Sequence, residues 1–225
     1  MDTFENIFQS AAQRKGGEQQ LEALLGKPKT KAQLKRMADD RYLAEMTKCI
    51  FRAGFVWKII ENKWPDFETV FKGFDTMVCS MLSDEELEVI ARDTRIVRNA
   101  VKIRTVRDNA QFVQRIRQEH SRFSHWIANW PETDIVGLWA ELKRSGARLG
   151  GNTSGYFLRF IGKDTFMLSG DVVAALVREG VVDKKPTGRK ALDEVQQAFN
   201  AWQAESSRSL MEISRTLAFS IDSQH

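Results

Sequence analysis

The apolar residues of this chain recur at intervals of three and four positions. The segments LAEMTKCIFRAGFVWKII (43–60), DFETVFKGF (66–74), DEELEVIARD (84–93), AQFVQRIRQEH (110–120), DIVGLWAELKRSG (134–146) and DVVAALVREG (171–180) all carry that spacing. It places their apolar side chains along one face of an α-helix. No segment alternates apolar and polar residues with a period of two, so the expected fold class is all-α, a helical bundle. Ser83, followed by Asp84, Glu85 and Glu86, marks a helix start. Pro65-Asp66 and Pro131-Glu132 set a proline and an acid in two further expected first turns. Helix breakers gather between Lys15 and Thr30, at Gly16, Gly17, Gly26 and Pro28. Residues 190–222, KALDEVQQAFNAWQAESSRSLMEISRTLAFSID, read as two amphipathic helices offering Phe199, Trp202, Leu210, Ile213 and Leu217 for packing. The expected organisation is an N-terminal helical and basic segment (1–37), a helical core (38–180) and C-terminal helices packed on that core (181–225).

With 225 residues and 42% hydrophobic residues, the chain can bury a core as one large domain or two small ones. No apolar run reaches membrane-spanning length, and MDTFENIFQS carries acids where a secretory signal would be basic, so a cytoplasmic protein without a membrane partner is expected. The 34 basic and 30 acidic residues leave a net charge of +4, and the basic ones cluster. KPKTKAQLKR (27–36) holds Lys27, Lys29, Lys31, Lys35 and Arg36, and RNAVKIRTVR (98–107) holds Arg98, Lys102, Arg104 and Arg107. Such clusters suit a phosphate backbone, although solvated helix faces give the same pattern. The two cysteines, Cys49 and Cys79, and three histidines, His120, His125 and His225, lack the paired close spacings of a zinc site. No metal or other cofactor is expected, and the thiols are expected to be free.

Residues 146–172, GARLGGNTSGYFLRFIGKDTFMLSGDV, carry a finer signal. A helix ending at Arg144-Ser145, a glycine turn at Gly150-Gly151, a helix from about Thr153 to Ile161, a break at Gly162 and a helix entered through Ser169-Gly170-Asp171 are expected. Glycines at a helix-opening turn let backbone N–H groups approach a phosphate. Gly150, Gly151, Asn152 and Thr153 are therefore candidate DNA-backbone contacts. An ordinary turn between two helices has the same composition.

Three blocks in order, FVWKIIENKWPDFETVFKGFD, RIVRNAVKIRTVRDNAQFV, and RLGGNTSGYFLRFIG followed by LSGDVV, resemble the 3-methyladenine DNA glycosylase I family, a branch of the helix-hairpin-helix glycosylases. The resemblance covers roughly residues 38–176 and is most specific at Ile96-Val97-Arg98, Lys102-Ile103 and Asn109-Ala110. It implies a monomeric enzyme that grips double-stranded DNA containing damaged bases. Such an enzyme flips an alkylated purine such as 3-methyladenine out of the stack and hydrolyses its N-glycosidic bond with water as nucleophile. The cationic base would be drawn to an aromatic face. Arg98 and Lys102 would touch DNA.

The resemblance also assigns a pocket. Ala53, Gly54, Phe55, Val56 and Trp57 stand where the family has Ala-Gly, two residues and a base-stacking tryptophan, with Phe55 at the mouth; core packing is the other reading of Phe55 and Trp57. The family's essential glutamate falls on Cys49, a thiol that supplies neither charge nor strong acceptors. Glu45, Cys49, Ala53 and Trp57 recur every four residues, so in a continuous helix Glu45 lies one turn, about 6 Å, from position 49 and can replace that acid. Alternatively Glu45 pairs with Lys48 or Arg41 on the surface. The wider superfamily's aspartate falls on Ser169, which leaves Asp171 as a reserve acid or simply a first-turn one. The family's zinc clip is not expected, because Asp171 and Ala175 occupy two of its ligand positions; the longer C-terminal segment is expected to take its place. Three functions stay open at this level: the glycosylase, a catalytically silent binder of damaged DNA or free base on the same scaffold, and a helical interaction protein sharing only the fold.

Overall fold

The computed structural model describes residues 1–222; His225 lies outside them. Among the described residues all regular structure is helical. In chain order the helices are α1 (Phe4–Lys15), α2 (Glu18–Leu25), α3 (Lys31–Arg36), α4 (Asp39–Arg52), α5 (Trp57–Val70), α6 (Thr76–Ser80), α7 (Asp84–Arg92), α8 (Ala100–His120), α9 (Phe123–Asn129), α10 (Ile135–Ser145), α11 (Asn152–Ile161), α12 (Gly170–Arg178), α13 (Arg189–Ser206) and α14 (Leu210–Phe219). No helix among the described residues is long and apolar enough to cross a membrane. Ser83 opens α7 as its sequence signal predicts. Its hydroxyl accepts from the Glu86 N–H while the Glu86 carboxylate accepts from the Ser83 N–H at 2.8 Å.

Three sequence expectations differ from the structure. Pro65 does not open a helix; α5 begins at Trp57 and runs through it. A proline inside a helix costs about 3 kcal/mol, and tertiary contacts offset that cost here. Trp64 stacks on Phe67 and on Phe74, each at 5.4 Å between ring centroids, and its indole N–H donates to Glu68 at 3.0 Å. Arg41 holds the same Glu68 with both ends of its guanidinium, at 2.8 and 3.1 Å. The run 43–60 is likewise not one helix. It breaks after Arg52 into α4 and α5, with Gly54 at φ +76°, a backbone conformation that side-chain-bearing residues rarely adopt. Pro131 precedes a single 3₁₀ turn, Glu132–Asp134, and α10 starts only at Ile135.

The chain divides into two compact units. Among the described residues, one comprises 30–129 and 139–161 and the other 1–29, 130–138 and 162–222, so that one boundary falls inside α10. In the first unit α4 packs against α8 and α11, and Phe51, Phe67, Phe74, Ile103 and Val106 are fully buried. In the second, α1 packs against α13 and α14. The Trp202 indole donates to the Asp2 carbonyl at 3.2 Å, the Phe4 N–H to Glu205 at 2.9 Å, and the Asp2 N–H to Glu179 at 3.0 Å. Phe199, Trp202, Leu210, Ile213 and Leu217, the residues that the amphipathic pattern offers for packing, are all fully buried there. The first residues of the chain are thereby fastened to α13 and α14 by packing, and to Glu179, Trp202 and Glu205 by hydrogen bonds between main chain and side chains.

Candidate functional site

The break between α4 and α5 is built around one buried cation. At the end of α4 the N–H of Ala53 still donates to the Cys49 carbonyl at 3.2 Å, but the last carbonyls of a helix lack partners within it. Lys102, on α8, supplies them: its ammonium donates to the carbonyls of Ala53 at 2.6 Å and Phe51 at 3.3 Å. Only 6% of Lys102 is exposed. Burial lowers its pKa from the usual lysine value, and Arg148 adds repulsion. The ammonium also lies 4.5 Å from the centre of the Phe55 ring, so one side chain holds both the helix end and the turn that follows. Its position three residues into α8 comes from Asn99, whose side chain accepts from the Lys102 N–H at 3.0 Å.

Beside this break lies a cavity of about 320 Å³, at the lower end of small-molecule sites, where one flat ring system fits. Cys49, Arg52 and Ala53 of the α4 end form one wall, Trp57 another, and Tyr156 and Phe160 of α11 a third. Asn152 and Thr153, at the start of α11, close it. Trp57 meets Tyr156 edge-on at 5.5 Å and Phe160 at 6.0 Å, while Tyr156 and Phe160 stack at 5.8 Å. Trp57 remains 44% exposed and is therefore not a core residue. Phe55 is not among the cavity residues; it is exposed, as are Val56 and Ile59.

Behind the Cys49 wall stands a chain of charges. The Cys49 thiol donates to Glu45 Oε1 at 3.6 Å, and Arg52 Nη1 donates to the same oxygen at 3.5 Å. Arg52 also donates from Nε (3.0 Å) and Nη2 to Glu61 Oε1, and Lys48 pairs with the other Glu61 oxygen at 2.8 Å. Burial by itself would raise the Glu61 pKa, but the hydrogen bonds from Lys48 and Arg52 outweigh it and hold the carboxyl below its ordinary value. Burial pushes the Cys49 thiol well above the usual cysteine range, and the Glu45 charge pushes it further. Cys49 is therefore a neutral thiol at physiological pH, with the Glu45 carboxyl as its hydrogen-bond partner. Neither Lys48 nor Arg41 pairs with Glu45; Arg41 is occupied by Asp40 and Glu68.

The sequence-derived candidates thus separate into groups. Cys49, Ala53, Trp57, Asn152 and Thr153 line one cavity, and Glu45 touches it through Cys49 and Arg52. Gly150 and Gly151 lead into α11, with Gly151 at φ +59° and open space around it. That turn is pinned by the buried Asn109, whose side chain accepts from the Ala147 N–H at 2.8 Å and donates to the Ala147 carbonyl at 3.1 Å. A side chain at Gly146 would collide with Leu149 at 2.6 Å and with the Leu142 carbonyl at 2.9 Å. Arg98 is exposed, just before α8. Lys102 points inward, as described. Asp171 lies in the first turn of α12, in the other unit, and is not among the cavity residues.

Sequence reasoning missed Arg52, Tyr156 and Phe160. The two aromatics were open to discovery, since they stand four apart on a helix entered from the glycine turn and so share a face. Arg52 gave no such signal, because its direction depends on where α4 ends.

A sequence model of a protein family described as methyladenine glycosylase matches residues 34–159, more than half of the chain. Among solved structures, 3-methyladenine DNA glycosylase I from Staphylococcus aureus, studied for its recognition of 3-methyladenine, is similar with a TM-score of 0.51 and 18% identity, over 56% of this chain and 77% of that one. A glutamate-to-glutamine variant of the Staphylococcus aureus enzyme is similar with a TM-score of 0.52 and 17% identity, over 68% and 86%. At these identities the likeness is one of fold. No curated protein sequence matches the chain.

Proposed function

This chain belongs to the methyladenine glycosylase family, and from that premise we propose that it removes alkylated purines, 3-methyladenine among them, from double-stranded DNA. The observation that carries this reading is the aromatic cavity beside the α4–α5 break, with a carboxylate directly behind its thiol wall. The target base leaves the stack and enters against Trp57, because the glycosidic bond is out of reach inside a duplex. The exposed apolar turn at Phe55 and Val56 fills the gap in the stack, as apolar wedges do in other kinked duplexes. Arg98 and the backbone N–H groups around Gly150 and Gly151 hold phosphates. Lys102 acts from within, keeping the wedge turn in place.

In the chemical step the bond between C1′ and the base breaks with its electron pair going to the base, which cancels the base's positive charge. Water adds to the sugar and releases a proton. Glu45 stabilises the positive charge that develops on the sugar. A silent binding protein is the competing reading, and one observation favours it: Glu45 reaches the cavity only through Cys49 and Arg52.

DNA binding by two variants tests the proposal. Stacking on an aromatic side chain contributes about 1–3 kcal/mol per base, so Trp57→Ala is expected to lose roughly tenfold or more of any preference for methylated over unmodified duplex while keeping non-specific affinity. Arg98→Ala is expected to weaken binding to all duplexes and to lower the slope of log affinity against log salt by about one. If both variants bind as the native protein does, neither residue meets DNA and the reading fails.

A further inference from the structure

Arg52 is a wall of the cavity as well as part of the charge chain behind it. Only 12% of its side chain is exposed. Its guanidinium carbon lies 4.8 Å from the Phe160 ring centre and 5.1 Å from that of Trp57. Bonds from Nε and Nη2 to Glu61 fix its rotation, and a longer one from Nη1 reaches Glu45. A guanidinium has five N–H donors; these three bonds leave two without a protein partner, on a side chain that lines an open cavity. Its charge is largely answered by Glu61, so a base, even a cationic one, can approach without meeting a bare positive group.

We propose that Arg52 reads the base and that the pocket prefers guanine-type purines over adenine-type ones. This rests on the Trp57 cavity being the base site. A guanine-type base offers O6 and N7 as adjacent acceptors, which a guanidinium meets with two parallel hydrogen bonds, whereas adenine places an amino donor beside N7. The mismatch sets donor against donor at that edge of the base. Alkylation at N3 leaves the O6–N7 edge free, so alkylated guanines such as 3-methylguanine are the substrate class that Arg52 selects. Asn152 and Thr153, on the cavity's other side, supply side-chain hydrogen-bonding groups that tolerate either base.

Binding of free hypoxanthine and free adenine, followed by calorimetry, tests this independently of catalysis, since hypoxanthine carries O6 and N7 and differs from adenine at that edge. The native protein is expected to bind hypoxanthine about tenfold or more tightly than adenine. Arg52→Gln and the charge-conserving Arg52→Lys, which lacks the planar fork, are both expected to lose that preference, and Trp57→Ala to lose affinity for both bases. Equal binding of the two bases by the native protein, or a preference that survives in Arg52→Lys and Arg52→Gln, overturns the role of Arg52 while leaving the pocket standing. Binding of neither base, or binding that Trp57→Ala does not weaken, overturns the base-site reading and Arg52's role with it.

Discussion

Glu45→Gln is expected to slow release of methylated purines from duplex DNA by about 10²–10³-fold, the range for loss of one charged group that acts in the transition state. The substitution keeps size and shape, so contacts with Cys49 and Arg52 at 3.6 and 3.5 Å remain sterically possible and only the negative charge is lost. The magnitude follows from the neutral thiol at Cys49, which burial and the nearby carboxylate keep protonated. That thiol offers no anion to replace Glu45. Single-turnover base release, compared with affinity for the same DNA, separates the effect on chemistry from any effect on binding. A Glu45→Gln protein as fast as the native one would place the catalytic charge elsewhere. Cys49→Glu supplies the complementary change, moving a carboxylate onto the cavity wall itself; it is expected to retain release when combined with Glu45→Gln.

Lys102→Met is expected to lower the free energy of unfolding by about 3 kcal/mol, within the range for removing a buried charged donor from two acceptors. Methionine fills much of the space of the lysine stem but leaves the Phe51 and Ala53 carbonyls, at the end of α4, without the donor they have now. The negative end of the helix dipole loses its countercharge as well. Urea denaturation reads the loss as a lower midpoint at unchanged slope. A Lys102→Met protein with native stability would mean that these carbonyls are satisfied by water and that the ammonium is not what holds the α4–α5 turn. The same variant is expected to loosen Phe55, whose ring lies under the ammonium.

How much of this was legible in the residues depended on whether the deciding interaction was local. Helix periods, the Ser83 capping box, the α11 boundaries around Gly151 and Gly162, and the two C-terminal helices all follow from side chains a few positions apart. The α4–α5 break was half-legible. Gly54 signalled a weak point, but the break is secured by Lys102, which lies 48 positions beyond Gly54 and looked like one more surface cation in the 98–107 cluster. The helical register joining Glu45, Cys49, Ala53 and Trp57 assumed a continuous helix. Trp57 reaches the cavity from the start of the next helix instead. Pro65 misled for the reason that makes proline informative elsewhere: its local cost is real, and an aromatic stack formed with residues farther along the chain outweighs it. Arg52 could not be read at all, because its orientation rests on Glu61 and on rings from two other helices.

The central claim, that this cavity serves base removal, is tested most directly by incubating the purified native protein with methylated duplex DNA and identifying the bases set free. The account predicts release of alkylated purines above the spontaneous rate, dependent on Trp57 and Glu45. Release no faster than in buffer, from a protein that still binds the methylated duplex in preference to the unmodified one, would contradict it and leave a pocket that recognises bases without removing them.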